Sequence, residues 1–144
     1  MSARVETAAA ALLFAGVALL VPGATGVLGA WSPDPGRWPR MLAALAVPAF
    51  AEELVFRGPL LRWRSRALAA ALLAAYVAWH PLAAALWRPE FVPLFTSPAF
   101  LFLTALLGGV ALTLTLRHRR LWPAVVLHWL AVAGWLLFWG GPSV

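Results

Sequence analysis

Five ionisable side chains fall inside long apolar stretches of this sequence: Glu52, Glu53 and Arg57 in one stretch, His80 in a second and His128 in a third. Such groups are costly in hydrocarbon, and where they persist they mark function by default. Glu53 and Arg57 are four residues apart, which on a helix puts them on one face where they can neutralise each other. Glu52 stands five residues before Arg57 and is turned well away from it, so it has no local counter-charge. A desolvated carboxylate of that kind suits a general base, and two histidines complete an inventory for moving protons to and from a water molecule.

The elements that must position these groups are helices. Of 144 residues, 63% are hydrophobic and the mean hydropathy is +0.86, well above the apolar share of soluble domains. The apolar residues form five runs, about Thr7 to Ala30, Pro39 to Leu61, Ala67 to Trp87, Pro98 to Leu116 and Leu121 to Trp139. Each approaches the ~20 residues that span a bilayer as a helix. Inside lipid a segment must satisfy its own backbone amides, and five segments cannot close a barrel. The expected fold is all-α: a polytopic membrane bundle of about five helices in a single domain over residues 1–144. The chemistry lies on the helices at about 39–61, 67–87 and 121–139. At ~1.5 Å per residue, Glu52, His80 and His128 all fall near mid-membrane. Arg4 and the first run also have the outline of a secretory signal, but the run is long and Glu6 is out of place in a signal's basic region. It is therefore read as a span, and without it a four-helix core would still carry every motif.

The charges set an orientation. All eleven basic residues are arginine, against five acids. Arg62, Arg64 and Arg66 fill the second connection, and Arg117, Arg119 and Arg120 the fourth, with no acid in either. The first and third mix signs (Asp34 with Arg37 and Arg40; Glu90 with Arg88). Positive loops face the cytoplasm, so connections two and four and the N-terminus are expected inside. A net charge of +6 in a soluble chain would suggest nucleic acid. Here the arginines lie between spans, and no nucleic-acid partner is expected. Trp31, Trp38, Trp63, Trp87, Trp122 and Trp139 fall near segment ends, as interfacial tryptophans do; Trp79 and Trp129, beside the two histidines, are candidate pocket walls. Without cysteine there is no thiol nucleophile, disulfide or thiolate metal site. The lysine-free, alanine- and arginine-rich composition hints at a GC-rich bacterial genome, and hence at an inner (plasma) membrane.

The segment Ala51-Glu52-Glu53-Leu54-Val55-Phe56-Arg57-Gly58 resembles the EExxxR motif of the CAAX-protease and bacteriocin-processing (Abi) family of glutamate-dependent intramembrane endopeptidases. Tyr76 with His80 is similar to that family's second motif, an aromatic residue, usually phenylalanine, followed four residues later by histidine. His128 matches the histidine of the third motif, but Val132 stands where the family has asparagine or aspartate. The resemblance covers Glu52 to Val132. It implies catalysis by Glu52 and His80, which activate water, with His128 stabilising the oxyanion; Glu53, Arg57 and Tyr76 support them. Val132 can donate nothing, and loss of one oxyanion donor costs ~10²–10³ in rate.

The resulting expectation is an intramembrane endopeptidase that hydrolyses a peptide bond in a membrane-bound protein, peptide or C-terminal tail. The alternative is a non-catalytic relative that uses its polar cavity as a membrane binding or immunity protein. Glu52, His80 and His128 would also serve as a two-histidine, one-carboxylate zinc site. The helical HExxH signature is missing, so no metal and no other cofactor is expected.

Overall fold

A computed structural model describes residues 2–21 and 24–141, and among these every regular element is helical. Helix α1 runs Ala3–Leu20 and a short α2 covers Ala24–Leu28. After a one-turn 3₁₀ element come α3 (Trp38–Ala44) and, beyond an irregular turn, α4 (Ala51–Arg62). Then follow α5 (Arg66–Trp87), a short α6 (Val92–Phe95), α7 (Pro98–His118) and α8 (Trp122–Trp139). Helices α1, α5, α7 and α8 are long and apolar enough to cross a membrane. The protein is a multi-pass membrane helix bundle.

Helix starts follow the local sequence. Ser2, Ser65 and Ser97 cap α1, α5 and α7, each accepting a hydrogen bond from a backbone N–H three residues on; this satisfies donors that a helix start leaves free. Pro98 follows Ser97 at a position where its missing N–H has no cost.

Two segments depart from the expected spans. The first run does not continue as one helix to Ala30, because α1 ends at Leu20. The second is broken: Val47 is extended (φ −136°, ψ 121°) between α3 and α4. Proline disfavours the helical region for the residue before it and removes an intrahelical donor; Pro48 therefore divides what composition alone presents as a single span. The break sits one turn before Glu52.

Helix α8 is the hub. It packs against α1, α3, α7 and the irregular turn at 45–50. Its C-terminal end is held by the first connection. Ser32 N–H donates to the Phe138 carbonyl (2.8 Å) and Asp34 N–H to that of Leu137 (2.9 Å). The Arg37 guanidinium donates to Leu136 O (3.3 Å) as well as to Ser32 O (2.6 Å). These contacts answer carbonyls that a helix end leaves without partners. Trp129 also serves α8: its indole N–H donates to Met41 O at 2.8 Å, tying α8 to α3.

At the opposite end Glu6 of α1 is buried, 7% exposed. Its carboxylate meets His118 Nε2 at 2.9 Å and an Arg117 nitrogen at 3.1 Å, both from the end of α7. Arg119 donates to Leu61 O (2.6 Å), joining the fourth connection to α4. Glu6 is thus the polar staple between α1 and α7. Glu6→Ala leaves two nitrogen-bearing side chains without their acceptor. It should cost about 1–3 kcal/mol, read as a lower thermal unfolding midpoint of the purified protein. Arg64→Ala, in an exposed connection, should move the midpoint by no more than about 0.5 kcal/mol equivalent.

Candidate active site

Helix α4 begins with Ala51, so Glu52 and Glu53 occupy its first turn and point to different sides. Glu53 is fully buried and Arg57, one turn later, is 2% exposed. Their separation is 3.3 Å, the pairing their spacing implies. Arg57 reaches further: it donates to the Gly108 carbonyl on α7 (3.2 Å) and lies over the Tyr76 ring of α5, 3.9 Å from the centroid. One guanidinium therefore joins three helices. The crossing requires glycine at 108, because a Cβ there would come within 2.8–2.9 Å of Leu73, Tyr76 and the Arg57 guanidinium.

Glu53 has a second partner that helical spacing did not disclose. The same oxygen that faces Arg57 lies 3.0 Å from His128 Nδ1, so the acid orients an imidazole on α8 as well as neutralising an arginine. His80 is oriented in a parallel way, its Nδ1 lying 2.9 Å from the Tyr76 carbonyl. A carbonyl only accepts, so that nitrogen carries the proton, and in the neutral ring Nε2 is left as an acceptor. Both Nε2 atoms face one oxygen, Glu52 Oε2, at 3.8 Å from His80 and 4.0 Å from His128. The other carboxylate oxygen of Glu52 accepts from the indole N–H of Trp79 at 3.2 Å.

Glu52, His80 and His128 come together from α4, α5 and α8, and all three line a cavity of about 440 Å³. The cavity climbs from Glu52, Tyr76 and His128 at mid-bundle to Leu28, Arg40 and Phe95 near the first and third connections. Val132 lines it too, one turn along α8 from His128. Trp79 is a wall, as its place beside His80 suggested, and it also bonds to Glu52. Trp129 is not among the lining residues, and its indole faces Met41 instead. Among the described residues no group of three His, Cys, Asp or Glu side chains is arranged to hold a metal ion.

Across residues 34–134 the chain matches the family model described as type II CAAX prenyl endopeptidase, Rce1-like. The chain belongs to this family. Its members are proteases, and the matched region includes α3 through most of α8, with every residue of the Glu52 site. No curated protein and no solved structure matches the chain. For this Rce1-like protein one contact from another helix adds a residue to the site: Trp79 is a direct partner of Glu52. Arg40 also lines the cavity. Helical periodicity gave no signal for the bond from Trp79 to Glu52, because it depends on how separate helices are rotated toward one another.

The Arg57 crossing gives a direct check on the support of this site. Gly108→Ala forces a methyl group against Arg57 and Tyr76, and overpacking of this kind costs about 1–3 kcal/mol. Gly109 has open space around it, so Gly109→Ala should leave thermal unfolding unchanged or slightly improved. Equal unfolding midpoints for the two variants would show that the three-helix crossing does not constrain the bundle.

Proposed function

We propose that this Rce1-like protein hydrolyses a peptide bond in a membrane-associated protein or its C-terminal tail, with water activated by Glu52 and His80 and the oxyanion held by His128. The observation that carries the reading is the convergence of two imidazole Nε2 atoms on one oxygen of Glu52, at the floor of a cavity that reaches mid-bundle. Each ring is fixed through its other nitrogen. A water among these three acceptors has only two protons to give, so the site carries one further proton when all three are engaged. That proton makes one of the rings a donor.

In the proposed reaction the water oxygen attacks the scissile carbonyl carbon while its proton passes to Glu52. The carbonyl oxygen becomes an oxyanion, held by a protonated ring; His128, braced by Glu53, takes this part. Collapse of the intermediate breaks the C–N bond, and the proton held by Glu52 goes to the leaving amine. His80 orders the water. Trp79 holds the other carboxylate oxygen, which keeps Oε2 toward the rings.

Val132 favours a second reading, in which the cavity holds a partner without cutting it, because the position one turn from His128 offers no donor. The test is release of a short tail from a membrane-anchored peptide by the full chain in lipid vesicles. Glu52→Gln should lower the rate by about 10²–10⁴ in a protein that still folds. Val132→Asn should raise the rate or leave it unchanged. Measurable wild-type turnover that survives Glu52→Gln at full rate sinks the assignment of the base. No turnover in either form favours the binding reading, and a fall on Val132→Asn means that the apolar surface contacts the substrate.

The arginine distribution adds an orientation to this proposal. With Arg62, Arg64, Arg66, Arg117, Arg119 and Arg120 on the cytoplasmic face, the N-terminus is cytoplasmic and the cavity rises toward the outer face of a bacterial inner membrane. The chain has no cysteine, so single cysteines report cleanly. Ser32→Cys should react with a membrane-impermeant maleimide in intact cells, and Arg64→Cys should react only after lysis. The opposite pattern would invert the topology.

A further inference from the structure

Tyr76 supports the site through two contacts, and neither uses its hydroxyl. Its carbonyl holds His80 Nδ1, and its ring carries the Arg57 guanidinium. Tyr76 has no exposed surface, and among the described residues its hydroxyl has no hydrogen-bond partner. Arg57 has no acceptor to offer, so it cannot take the hydroxyl proton. A buried tyrosine hydroxyl usually finds a partner, because a buried polar group left unpaired costs about 1–3 kcal/mol.

The ring stands among the groups of the site. It meets both imidazoles edge to face, with centroids 4.9 Å from His80 and 6.0 Å from His128. Phe56 packs against it at 5.5 Å. Tyr76 lines the same cavity as Glu52, His80, His128 and Val132. One other cavity-lining residue has a buried donor without a partner among the described residues, the indole N–H of Trp135. Trp135 is seven residues beyond His128, about 10 Å along α8, whereas the phenol ring is in contact with both imidazoles.

We propose that the Tyr76 hydroxyl donates a hydrogen bond to the oxyanion formed at the scissile carbonyl, as a second donor beside His128. This rests on the peptidase reading of the site and deepens it. A tyrosine hydroxyl ordinarily holds its proton up to a pH of about 10, so the proton stays on Tyr76 throughout. When the intermediate collapses, the C=O bond reforms, the C–N bond breaks and the phenol O–H is unchanged. A donor fixed in place before charge develops costs no reorganisation at the moment of reaction, and the packing of Arg57, Phe56 and two imidazoles fixes this ring. The donor that Val132 cannot supply from α8 then comes from α5.

Tyr76→Phe keeps the ring and its contacts and removes one oxygen. The full chain in lipid vesicles is given a membrane-anchored peptide, and separately the same peptide with a phosphinate in place of the scissile amide, whose charged oxygens mimic the oxyanion. Tyr76→Phe should lower kcat by about 10²–10³ with KM unchanged, the mark of an interaction made only in the transition state. Affinity for the phosphinate should fall by about tenfold or more, while affinity of Glu52→Gln protein for the uncleaved amide should not change. The thermal unfolding midpoint should stay level or rise, since an unpaired buried hydroxyl is removed. If the wild type cleaves nothing but binds the phosphinate more tightly than the amide, and loses that preference on Tyr76→Phe, the peptidase reading fails and the oxyanion donor stands. Wild-type kcat in Tyr76→Phe overturns the proposal. So does an equal loss of affinity for amide and phosphinate together with a lower unfolding midpoint, which assigns the hydroxyl to the frame of the bundle. A phosphinate-selective loss on Trp135→Phe and none on Tyr76→Phe places the donor on α8 and overturns it as well.

Discussion

Glu53 has no exposed surface, in a bundle whose surroundings are hydrocarbon. A carboxylate there is tolerated only with partners, since removing a charge from water costs several kcal/mol that must be offset locally. Its two partners come from different places: Arg57 from its own helix, and His128 from α8. Arg57 in turn binds α7 and covers a ring of α5. The need to satisfy one buried acid therefore fixes the relative rotation of α4, α5, α7 and α8. Those same rotations bring Glu52 to face His80 and His128. Two adjacent glutamates on one helix turn divide the work, one holding the frame and the other turned to the cavity.

The break before α4 contributes the space. A continuous helix from Trp38 to Arg62 would carry its ladder of backbone bonds past the site. With Val47 extended and Pro48 unable to donate, the chain changes direction just above Glu52, and both residues line the cavity. Irregular backbone at membrane depth is tolerated where protein or a water-filled cavity surrounds it, and here it borders one. The first connection then folds onto the end of α8, which keeps α3 and the broken segment against the helix that carries His128.

The family match and the geometry bear on different questions. Membership of the Rce1-like family identifies a membrane endopeptidase lineage over residues 34–134. The arrangement inside that region sets Glu52 against two imidazole rings and Val132 on the wall of the same cavity. Val132 presents an apolar surface to the cavity at a point where the neighbouring imidazole is fully committed on one side to Glu53. The bond between Glu53 and His128 is therefore more than a packing contact, since it decides which edge of the ring faces Glu52.

Much of this was legible in the amino-acid sequence. Apolar runs and the cost of unsatisfied amides in lipid dictated helices, and the bounds of α5, α7 and α8 follow those runs closely. The spacing of Glu53 and Arg57 specified their ion pair, because a helix puts residues four apart on one face. Glu52, His80 and His128 stood out since each is costly in hydrocarbon. Pro48 carried the signal for the break, although an apolar run of the right length masked it. Tertiary structure decided the rest. That Glu53 also holds His128, that Trp79 bonds Glu52, that Arg57 needs Gly108 and that Trp129 turns to Met41 are contacts between different helices. Local periodicity fixes which residues share a face but not which neighbour that face meets; that is settled only when whole helices pack against one another.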